Sequence, residues 1–405
     1  MSDELHEPTG PLQPPPLLGE RGTRSALVDD ASSLQPISMK GRTEHDAALE
    51  SAWRLTWKRF RKHRLAMISL GIVIALYVVA IFADFLATGD PKATHPRLSY
   101  LPPQRIRWFD EGRFSPHVLG VQTQRDRRTL RRYYMLNPND KIPVRFWTTG
   151  YEYRLFGLIP ASRHLVGIEE NPTRDNIYLL GTDRLGRDLW SRMLAGTQIS
   201  ASIGLAGVAV SLALGLTLGG ISGLYGGWVD AVIQRLIEFL RSIPTIPLWL
   251  GLAAALPKDW SVVQVYLAVT LVISLIGWTQ IAREVRGKFL ALREEDFVIA
   301  ARLYGCSEAR ILFRHLIPSI SSHVIVVTTL AIPTMIVSET SLSFLGLGLR
   351  PPAISWGVLL QDAQNIQTVA LYSWLMLPGL MVIVTVLAFN FLGDGLRDAA
   401  DPYST

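Results

Sequence analysis

A long and almost uncharged stretch constrains this chain more than any other feature of its sequence. The 88 residues from Ala195 to Ala282 contain six charged side chains: Asp230, Arg235, Glu238, Arg241, Lys258 and Asp259. A helix of about 20 apolar residues is long enough to cross a bilayer, so this stretch has room for several crossings. Charged residues make up 18% of the whole chain, against about 25% in soluble globular proteins. The sequence therefore predicts an all-α polytopic membrane protein and excludes a soluble enzyme and a disordered regulator.

Six membrane-spanning helices are predicted. The first is the uncharged run from Leu65 to Ala83, which would measure about 28 Å as a helix. The other five are expected at roughly 198–224, 231–256, 262–282, 317–345 and 373–393. Six basic and no acidic residues lie between Arg54 and Arg64, and the positive-inside rule keeps such a cluster in the cytoplasm. Six crossings then place both termini, and the loop from Arg283 to about Leu316, in the cytoplasm.

The composition divides the chain into five parts. Residues 1–46 include six prolines and are predicted to be a disordered cytoplasmic tail. Residues 47–87 hold the basic flank and the first span, and residues 88–194 form a polar insert. The core with five spans follows at 195–393 and includes a cytoplasmic loop at 283–318. Residues 394–405 are predicted to be a cytoplasmic C-terminal tail.

The polar insert is predicted to be a small mixed domain on the outer, periplasmic side of the membrane. It carries 18 basic and 11 acidic residues, but loops longer than about 60 residues do not follow the positive-inside rule. Its last part is expected to form an amphipathic helix on the outer face of the membrane. Thr182 could cap this helix, and Leu185, Leu189 and Met193 would form its apolar stripe.

Residues 294–319 read EEDFVIAARLYGCSEARILFRHLIPS and predict an elbow of two short helices joined by a glycine. Negative charge at Glu294–Asp296 favours a helix N-terminus, and Gly305 fits the left-handed position that ends a helix. Ser307 can cap the second helix, Glu308–Leu316. The residues expected on one side of the first helix are Val298, Ala301 and Leu303. Such an elbow could fit a groove on another protein or could be an ordinary amphipathic loop, and the spacing alone leaves both open.

The elbow resembles the EAA loop of ABC-importer permeases, in which Glu-Ala-Ala is followed after three residues by Gly and later by Leu-Pro. The positions in register are Ala300, Ala301, Gly305 and Pro318, with Ile317 in the place of the leucine. Ile299 stands where the family usually has Glu, so the polar contact to the ATPase that the resemblance implies at this position is not expected, whereas the implied docking itself is. His315 replaces an aliphatic residue, and the run RHLIP in which it lies resembles the peptide-type subfamily.

Further motifs along the chain extend this resemblance. They are GTDRLGRDLWSRMLAGTQIS (Gly181–Ser200), YGGWVD (Tyr225–Asp230), SETSLSFLGLG (Ser338–Gly348), SWG (Ser355–Gly357) and NFLGDGLRDAADP (Asn390–Pro402). Their order is similar to that in the second permease subunit of oligopeptide/dipeptide-type ABC importers. The resemblance covers about Trp53–Pro402 except most of the insert, which is longer than the usual periplasmic segment of that subunit.

The resemblance implies the type I ABC-importer permease fold, with six transmembrane helices in the bacterial inner membrane. A related second permease, two ABC ATPase subunits and a periplasmic substrate-binding protein are the implied partners, and oligopeptides or dipeptides are the implied cargo. The chain would be no enzyme and hold no cofactor, since ATP and Mg would lie on the ATPase subunits. It indeed lacks a phosphate-binding loop, because Gly287-Lys288 is followed by Phe289. The residues implied in ATPase docking are Asp296, Ile299, Ala300, Ala301, Gly305, Ser307, Arg314, His315 and Pro318.

Two further groups of residues have both a functional and a structural interpretation. The candidate residues for a translocation path are Ser338, Glu339 and Ser341. An acid inside a span indicates function by default, but Glu339 could also pair with a polar group inside the protein. The candidate contacts to the binding protein are Asp183, Arg187 and Asp188. These three could instead anchor the chain through local salt bridges.

Metal, nucleophile and nucleic-acid chemistry are not indicated. The eight histidines are scattered without a metal-binding spacing, and no Ser, Cys or Thr lies in a nucleophile motif. The net charge of +6 is explained by membrane topology rather than by nucleic acid. Three alternatives stay open at this point. They are the same mechanism with an oligosaccharide, opine, nickel or haem cargo, a membrane-anchored periplasmic sensor or scaffold, and a secondary transporter.

Overall fold

The computed structural model describes residues 52–400, apart from 126, 129–131, 156–157, 169–175 and 258. The predicted tail at 1–46, the first residues of the basic flank and the last five residues of the C-terminal tail lie outside the described residues. The chain divides between Leu55 and Thr56 into two units. The elements below belong to the second unit, except that the first helix begins in the first unit.

Helices make up most of the described chain, and four strands lie between the third and fourth of them. The α-helices of four residues or more are α1 (Ala52–Phe60), α2 (Arg64–Ile81), α3 (Ala83–Leu86), α4 (Leu189–Tyr225), α5 (Gly227–Ser242), α6 (Thr245–Ala254), α7 (Val262–Leu292), α8 (Asp296–Leu303), α9 (Ser321–Phe344), α10 (Trp356–Leu360), α11 (Ile366–Leu371) and α12 (Leu377–Ala400). The strands are β1 (Arg107–Asp110), β2 (Arg113–Arg125), β3 (Arg132–Leu155) and β4 (Ile159–Ile168). The predicted helical membrane fold with a small insert is confirmed.

The described residues provide five or six membrane crossings. Helices α2, α4, α7 and α9 and the stretch Ser373–Ala400 are long and apolar enough to span a membrane. A sixth candidate is the pair α5 and α6, which is bent by 84°, whereas the sequence predicted one continuous span over 231–256. The bend has a local cause. Pro244 has no N–H to donate, and it restricts Ile243 to an extended conformation with φ −87° and ψ 128°.

Helices α4 and α7 pack against each other along a glycine seam formed by Gly215, Gly219 and Gly223. All three are buried, and a β-carbon on any of them would overlap atoms of α7. At Gly219 the overlap would be with the backbone carbonyl of Ala282. Small residues four apart lie on nearly the same face of a helix and let two helix backbones approach closely. The seam does not extend to Gly227, which lies beyond the end of α4 with φ +56° and makes no such contact.

Replacing Gly219 by valine is expected to destabilise the protein by about 1–3 kcal/mol, because a backbone atom of α7 must move to accept the new side chain. Thermal unfolding in detergent measures this change. Gly71→Val is the matched control, since a β-carbon on this exposed glycine of α2 has nothing within 4 Å. Equal unfolding temperatures for the two variants would contradict the importance of the seam.

The insert contains an antiparallel sheet with the strand order β1-β2-β3-β4. Its buried core consists of Val118, Ile142, Val144, Ile168 and Ile177. The described helical content between α3 and α4 is a single 3-10 turn, Pro96–Leu98. The described part of the insert, predicted as small and mixed, is therefore mainly a sheet of consecutive antiparallel strands.

The prediction of an amphipathic helix at the end of the insert is wrong. Thr182 pairs with Asp188 in an isolated β-bridge instead of capping a helix. Gly181 and Gly186 have φ values of +77° and +73°, a backbone conformation that α-helices do not contain. The helix begins only at Leu189, where Asp188 caps it, and it continues directly as the long span α4. Leu189 and Met193, predicted for the surface stripe, are buried in the first turns of that span.

Candidate functional site

The segment between α7 and α9 forms the elbow that the sequence predicts. Helix α8 follows Glu295 and carries the acidic Asp296 in its first turn. The chain turns at Gly305, whose φ is +75°, and the next N–H, of Cys306, donates to the Ala301 carbonyl at 3.0 Å. The predicted left-handed glycine at the end of the first helix is confirmed.

The second half of the elbow begins as predicted but departs from a regular α-helix. The Ser307 side chain accepts a hydrogen bond from the Arg310 N–H at 3.4 Å, so the predicted cap is confirmed. After one α-helical turn, however, Ile311–Leu316 is π-helical, and the Ile317 N–H donates back to the Leu312 carbonyl. Pro318, which follows, has no N–H and cannot extend this pattern. Wide turns of this kind are rare and are frequent at functional sites.

The inner side of the elbow is anchored in a buried apolar cluster. The elbow contributes Val298, Ala301, Ile311, Leu312 and Leu316, and the ends of α4 and α7 contribute Leu224, Ile281, Val285 and Phe289. The predicted inward side is confirmed at Val298 and Ala301. It is wrong at Leu303, which is 84% exposed, because two residues of helix correspond to a rotation of about 200° from Ala301.

The outer side of the elbow exposes large apolar side chains. They are Phe297, Ile299, Leu303, Tyr304 and Phe313, called the elbow patch below. Tyr304 is 89% exposed, even more than Leu303. Exposed apolar clusters of this kind mark protein interaction sites. The elbow thus exposes apolar surface on a base that is fixed in the protein core.

The residues implied in docking are divided between the two sides of the elbow. Asp296, Ile299, Gly305, Ser307, Arg314 and Pro318 are exposed, Ala300 and His315 are half-buried, and Ala301 is buried. Ile299 belongs to the elbow patch, so an apolar side chain occupies the place of the family's glutamate. Tyr304 was not among the residues predicted for docking, and Leu303 was predicted on the wrong side of the helix. The sequence feature that could have identified both residues is that two large apolar side chains, Leu303 and Tyr304, directly precede Gly305.

An ion pair that the sequence analysis missed lies close to the elbow. Nε and Nη2 of Arg286 donate to the two carboxylate oxygens of Asp230, each at 2.5 Å. The Ser222 hydroxyl donates to Asp230 Oδ1, also at 2.5 Å. These side chains come from α7, α5 and α4, so the pair joins three helices. Asp230 belongs to the YGGWVD motif, but nothing in the sequence names a partner 56 residues away.

A cavity of about 1510 Å³ lies among α6, α7, α9 and the end of α12. Its charged lining residues are Arg241, Glu284, Lys288 and Arg397. Glu284 and Lys288 lie in the last third of α7, towards the elbow, and Glu284 Oε2 lies 3.5 Å from His323 Nε2. No group of His, Cys, Asp and Glu within the described ranges is placed to hold a metal ion. The cavity is large enough for a small organic solute.

The three candidate path residues have different surroundings. Ser338 lines the cavity. Glu339 is fully buried between α4 and α9, where Ser200 Oγ donates to Oε2 at 3.1 Å and Ser343 Oγ donates to Oε1 at 2.7 Å. Ser341 is half-buried. The geometry favours the structural interpretation of Glu339, as an acid that pairs with hydroxyls inside the protein, and a role in transport stays a prediction.

The candidate contacts to a binding protein form a buried anchor. Asp183 and Asp188 are each 2% exposed. Arg187 Nε donates to Asp183 Oδ2 at 2.6 Å, and Asp188 accepts hydrogen bonds from the Thr88 hydroxyl and the Ser191 N–H, both at 3.0 Å. Burial raises the pKa of the Asp188 carboxyl, while its hydrogen bonds oppose this change. Direct contact of these carboxylates with another protein is not supported, and local anchoring is favoured.

Comparison with known proteins assigns the chain to a family. Residues 215–403 match the binding-protein-dependent transport system inner membrane component, and residues 51–103 match the N-terminal transmembrane domain of oligopeptide transport permease C. The dipeptide transport system permease protein DppC of Lactococcus lactis is 31% identical over 350 residues, which cover 85% of this chain and 89% of that protein. The chain belongs to the family of binding-protein-dependent inner membrane permeases.

Two other members of this permease family illustrate the range of similarity. The oligopeptide transport system permease protein OppC of Bacillus subtilis is 29% identical over 353 residues, 87% of this chain and 90% of that protein. The glutathione transport system permease protein GsiD of Pectobacterium atrosepticum is 39% identical over 235 residues, 58% of this chain and 75% of that protein. The resemblance found in the sequence motifs is thus confirmed. The elbow and the cavity lie within the longer matched range, and the sheet lies between the two ranges.

Proposed function

We propose that this permease is the transmembrane subunit of an ABC importer for oligopeptides or dipeptides, driven by ATP hydrolysis on partner subunits. The elbow patch is the observation that carries the proposal. Its apolar side chains are exposed on one side of a segment whose other side is held in the core by α4 and α7. Two ATPase subunits, one for this chain and one for a related second permease, would bind such elbows and would hold the ATP and Mg.

The packing of the elbow supports a mechanical role in transport. Closure of the ATPases would displace the elbow, and the buried cluster would transmit this displacement to α4 and α7, which the glycine seam holds together. Helix α7 lines the cavity together with α6, α9 and the end of α12. A rigid-body movement of α7 against those helices would change the opening of the cavity. In this mechanism the cavity is this chain's part of the translocation path.

The topology that accompanies this function follows from the basic cluster before α2. The termini and the elbow would lie in the cytoplasm, and the sheet would lie in the periplasm, where a substrate-binding protein delivers the cargo. A peptide cargo is supported by the names of the relatives, which transport oligopeptides, dipeptides or glutathione. Ser338 and the charged residues of the cavity provide hydrogen-bonding groups for a polar solute.

Purification in mild detergent from native membranes is the first test of this function. We expect two P-loop ATPases and a second six-span permease to copurify with the chain and to be identified by mass spectrometry. Recovery of the chain alone would contradict the importer and favour a sensor or scaffold built on the insert. Uptake of labelled dipeptides by vesicles with the intact complex then tests the cargo, and uptake of nickel, haem, opine or oligosaccharide alone would exclude peptides.

A further inference from the structure

The β3–β4 hairpin of the insert is fixed against the end of the first membrane helix. The Tyr151 hydroxyl donates to Asp84 Oδ1 at 3.2 Å, and His164 Nδ1 lies 2.9 Å from the Asp84 carbonyl oxygen. Tyr151 and Val79, a residue of the last turn of α2, pack against the same buried cluster around Ala83. The hairpin therefore meets the membrane helix at the level where α2 ends.

That level coincides with the expected boundary of the hydrocarbon core. A core of about 30 Å takes about 20 residues of helix. Helix α2 starts at Arg64, so Asp84, twenty residues further along the chain, is expected at the opposite boundary. Between them, Ile74, Val78 and Ile81 are exposed, as expected for side chains that face lipid. The hairpin is thus attached at the surface of the bilayer rather than above it.

Beyond Tyr151 the hairpin continues to an exposed apolar end. The strands pair as far as Leu155 and Ile159. Leu158, in the turn between the strands, is 82% exposed, and Ile159 is 55% exposed. Hairpin turns in water favour Gly, Asn, Asp and Ser, so the exposed Leu158 requires another explanation, and Ile159, which begins β4, extends this apolar surface. Leu155, which pairs with Ile159, lies four strand residues beyond Tyr151, or about 13 Å, so the paired end of the hairpin is within that distance of its attachment at the bilayer surface.

We propose that the hairpin tip, formed by Leu158 and Ile159, inserts into the lipid leaflet on the Asp84 side of the membrane. The occupant of this apolar surface is lipid because the hairpin is attached at Asp84, where the exposed apolar surface of α2 ends. Arg154, next to the tip, and Arg163, opposite Thr149 further back on the hairpin, are exposed, so their guanidinium groups are placed to bind headgroup phosphates while the tip enters the acyl region. The insert is then held at the membrane by a contact separate from its connections to α3 and α4.

Site-directed spin labelling in the complete transporter complex tests this contact. The chain has a single cysteine, Cys306, so Cys306→Ser provides a background for Leu158→Cys labelled with a nitroxide. The complex is placed in nanodiscs of phosphatidylethanolamine and phosphatidylglycerol, and collisions with oxygen and with a water-soluble nickel chelate are measured. Gln122→Cys, at an exposed position of β2, is the matched control within the same sheet.

The ratio of oxygen to nickel collisions is expected to be severalfold higher at Leu158 than at Gln122, because oxygen concentrates in lipid and the chelate stays in water. An equal ratio at the two positions would overturn the proposal. Protection of the Leu158 label from both reagents would overturn it too, since a protein surface would then cover the tip. Ile159→Cys is measured in parallel and is expected to give the same high ratio, which keeps the test valid if the Leu158 variant does not fold.

Discussion

Leu303→Glu is expected to abolish stable binding of the ATPase subunits while the permease stays folded and inserted. The side chain is 84% exposed, so a charge there costs little in the isolated chain but must lose its water when a partner covers the elbow patch. A central apolar interface residue contributes about 2 kcal/mol or more, which corresponds to a loss of affinity of about 30-fold. Titration of the purified ATPase against the permease in nanodiscs measures this affinity.

Ile366→Glu provides a closely matched control for this substitution. Ile366 begins α11 and is 85% exposed, so the two variants introduce the same charge at the same degree of exposure in different places. The Ile366 variant should bind the ATPase with the affinity of the unmodified chain. Unchanged binding by the Leu303 variant would show that ATPases do not dock on the elbow patch, and reduced binding by both would indicate a general effect of surface charge.

Asp230→Asn is expected to destabilise the permease by about 1.5–3 kcal/mol, because a charge-assisted hydrogen bond is worth roughly that amount. Its partner Arg286 keeps its charge and is only partly exposed, so it cannot fully recover the lost interaction from water. Denaturant titration in detergent measures the loss. ATP-driven transport should fall with it, since the pair joins α4, α5 and α7 next to the elbow.

The double variant Asp230→Asn/Arg286→Gln separates the pair from the effects of each residue alone. If the two side chains act through their mutual contact, the double variant is less destabilised than the sum of the single variants. Strict additivity of the two changes would show that the ion pair contributes nothing of its own. Arg235→Gln is a suitable control, because the ion pair of Arg235 with Glu238 lies on the surface, where such pairs contribute little.

The features predicted correctly from sequence are those that depend on neighbours along the chain. Length and hydropathy identify the long helices, and the φ of Gly305 and the cap at Ser307 are local properties of two residues. The bend at Pro244 could also have been predicted, since proline interrupts helices. The apolar residues on both sides of it, however, made the segment resemble one continuous span. The π-helical turn after Arg310 left no signal in the pattern, because its apolar residues also suit an α-helix.

The features that were missed or misplaced depend on contacts between distant segments. Asp230 and Arg286 are brought together by the packing of α5 on α7, which no local pattern encodes. The buried anchor of Asp183 and Asp188 depends on Thr88, about one hundred residues earlier in the chain. Leu303 was misplaced for a simpler reason. An eight-residue helix has too few turns for its apolar pattern to define a face.

The glycine seam has a mechanical consequence for the importer. Because the backbones of α4 and α7 approach closely at Gly215, Gly219 and Gly223, no layer of side chains separates the two helices along this seam that could rearrange and let one helix slide against the other. The two helices would then move together as one rigid body, and α4 alone, with 37 residues, is about 55 Å long. A displacement of the elbow at one end of these helices would move their other end as well, because bending or sliding of the helices would not reduce it. The amplitude of the movement at the far end would therefore depend on the point about which the two helices rotate rather than on how far they bend.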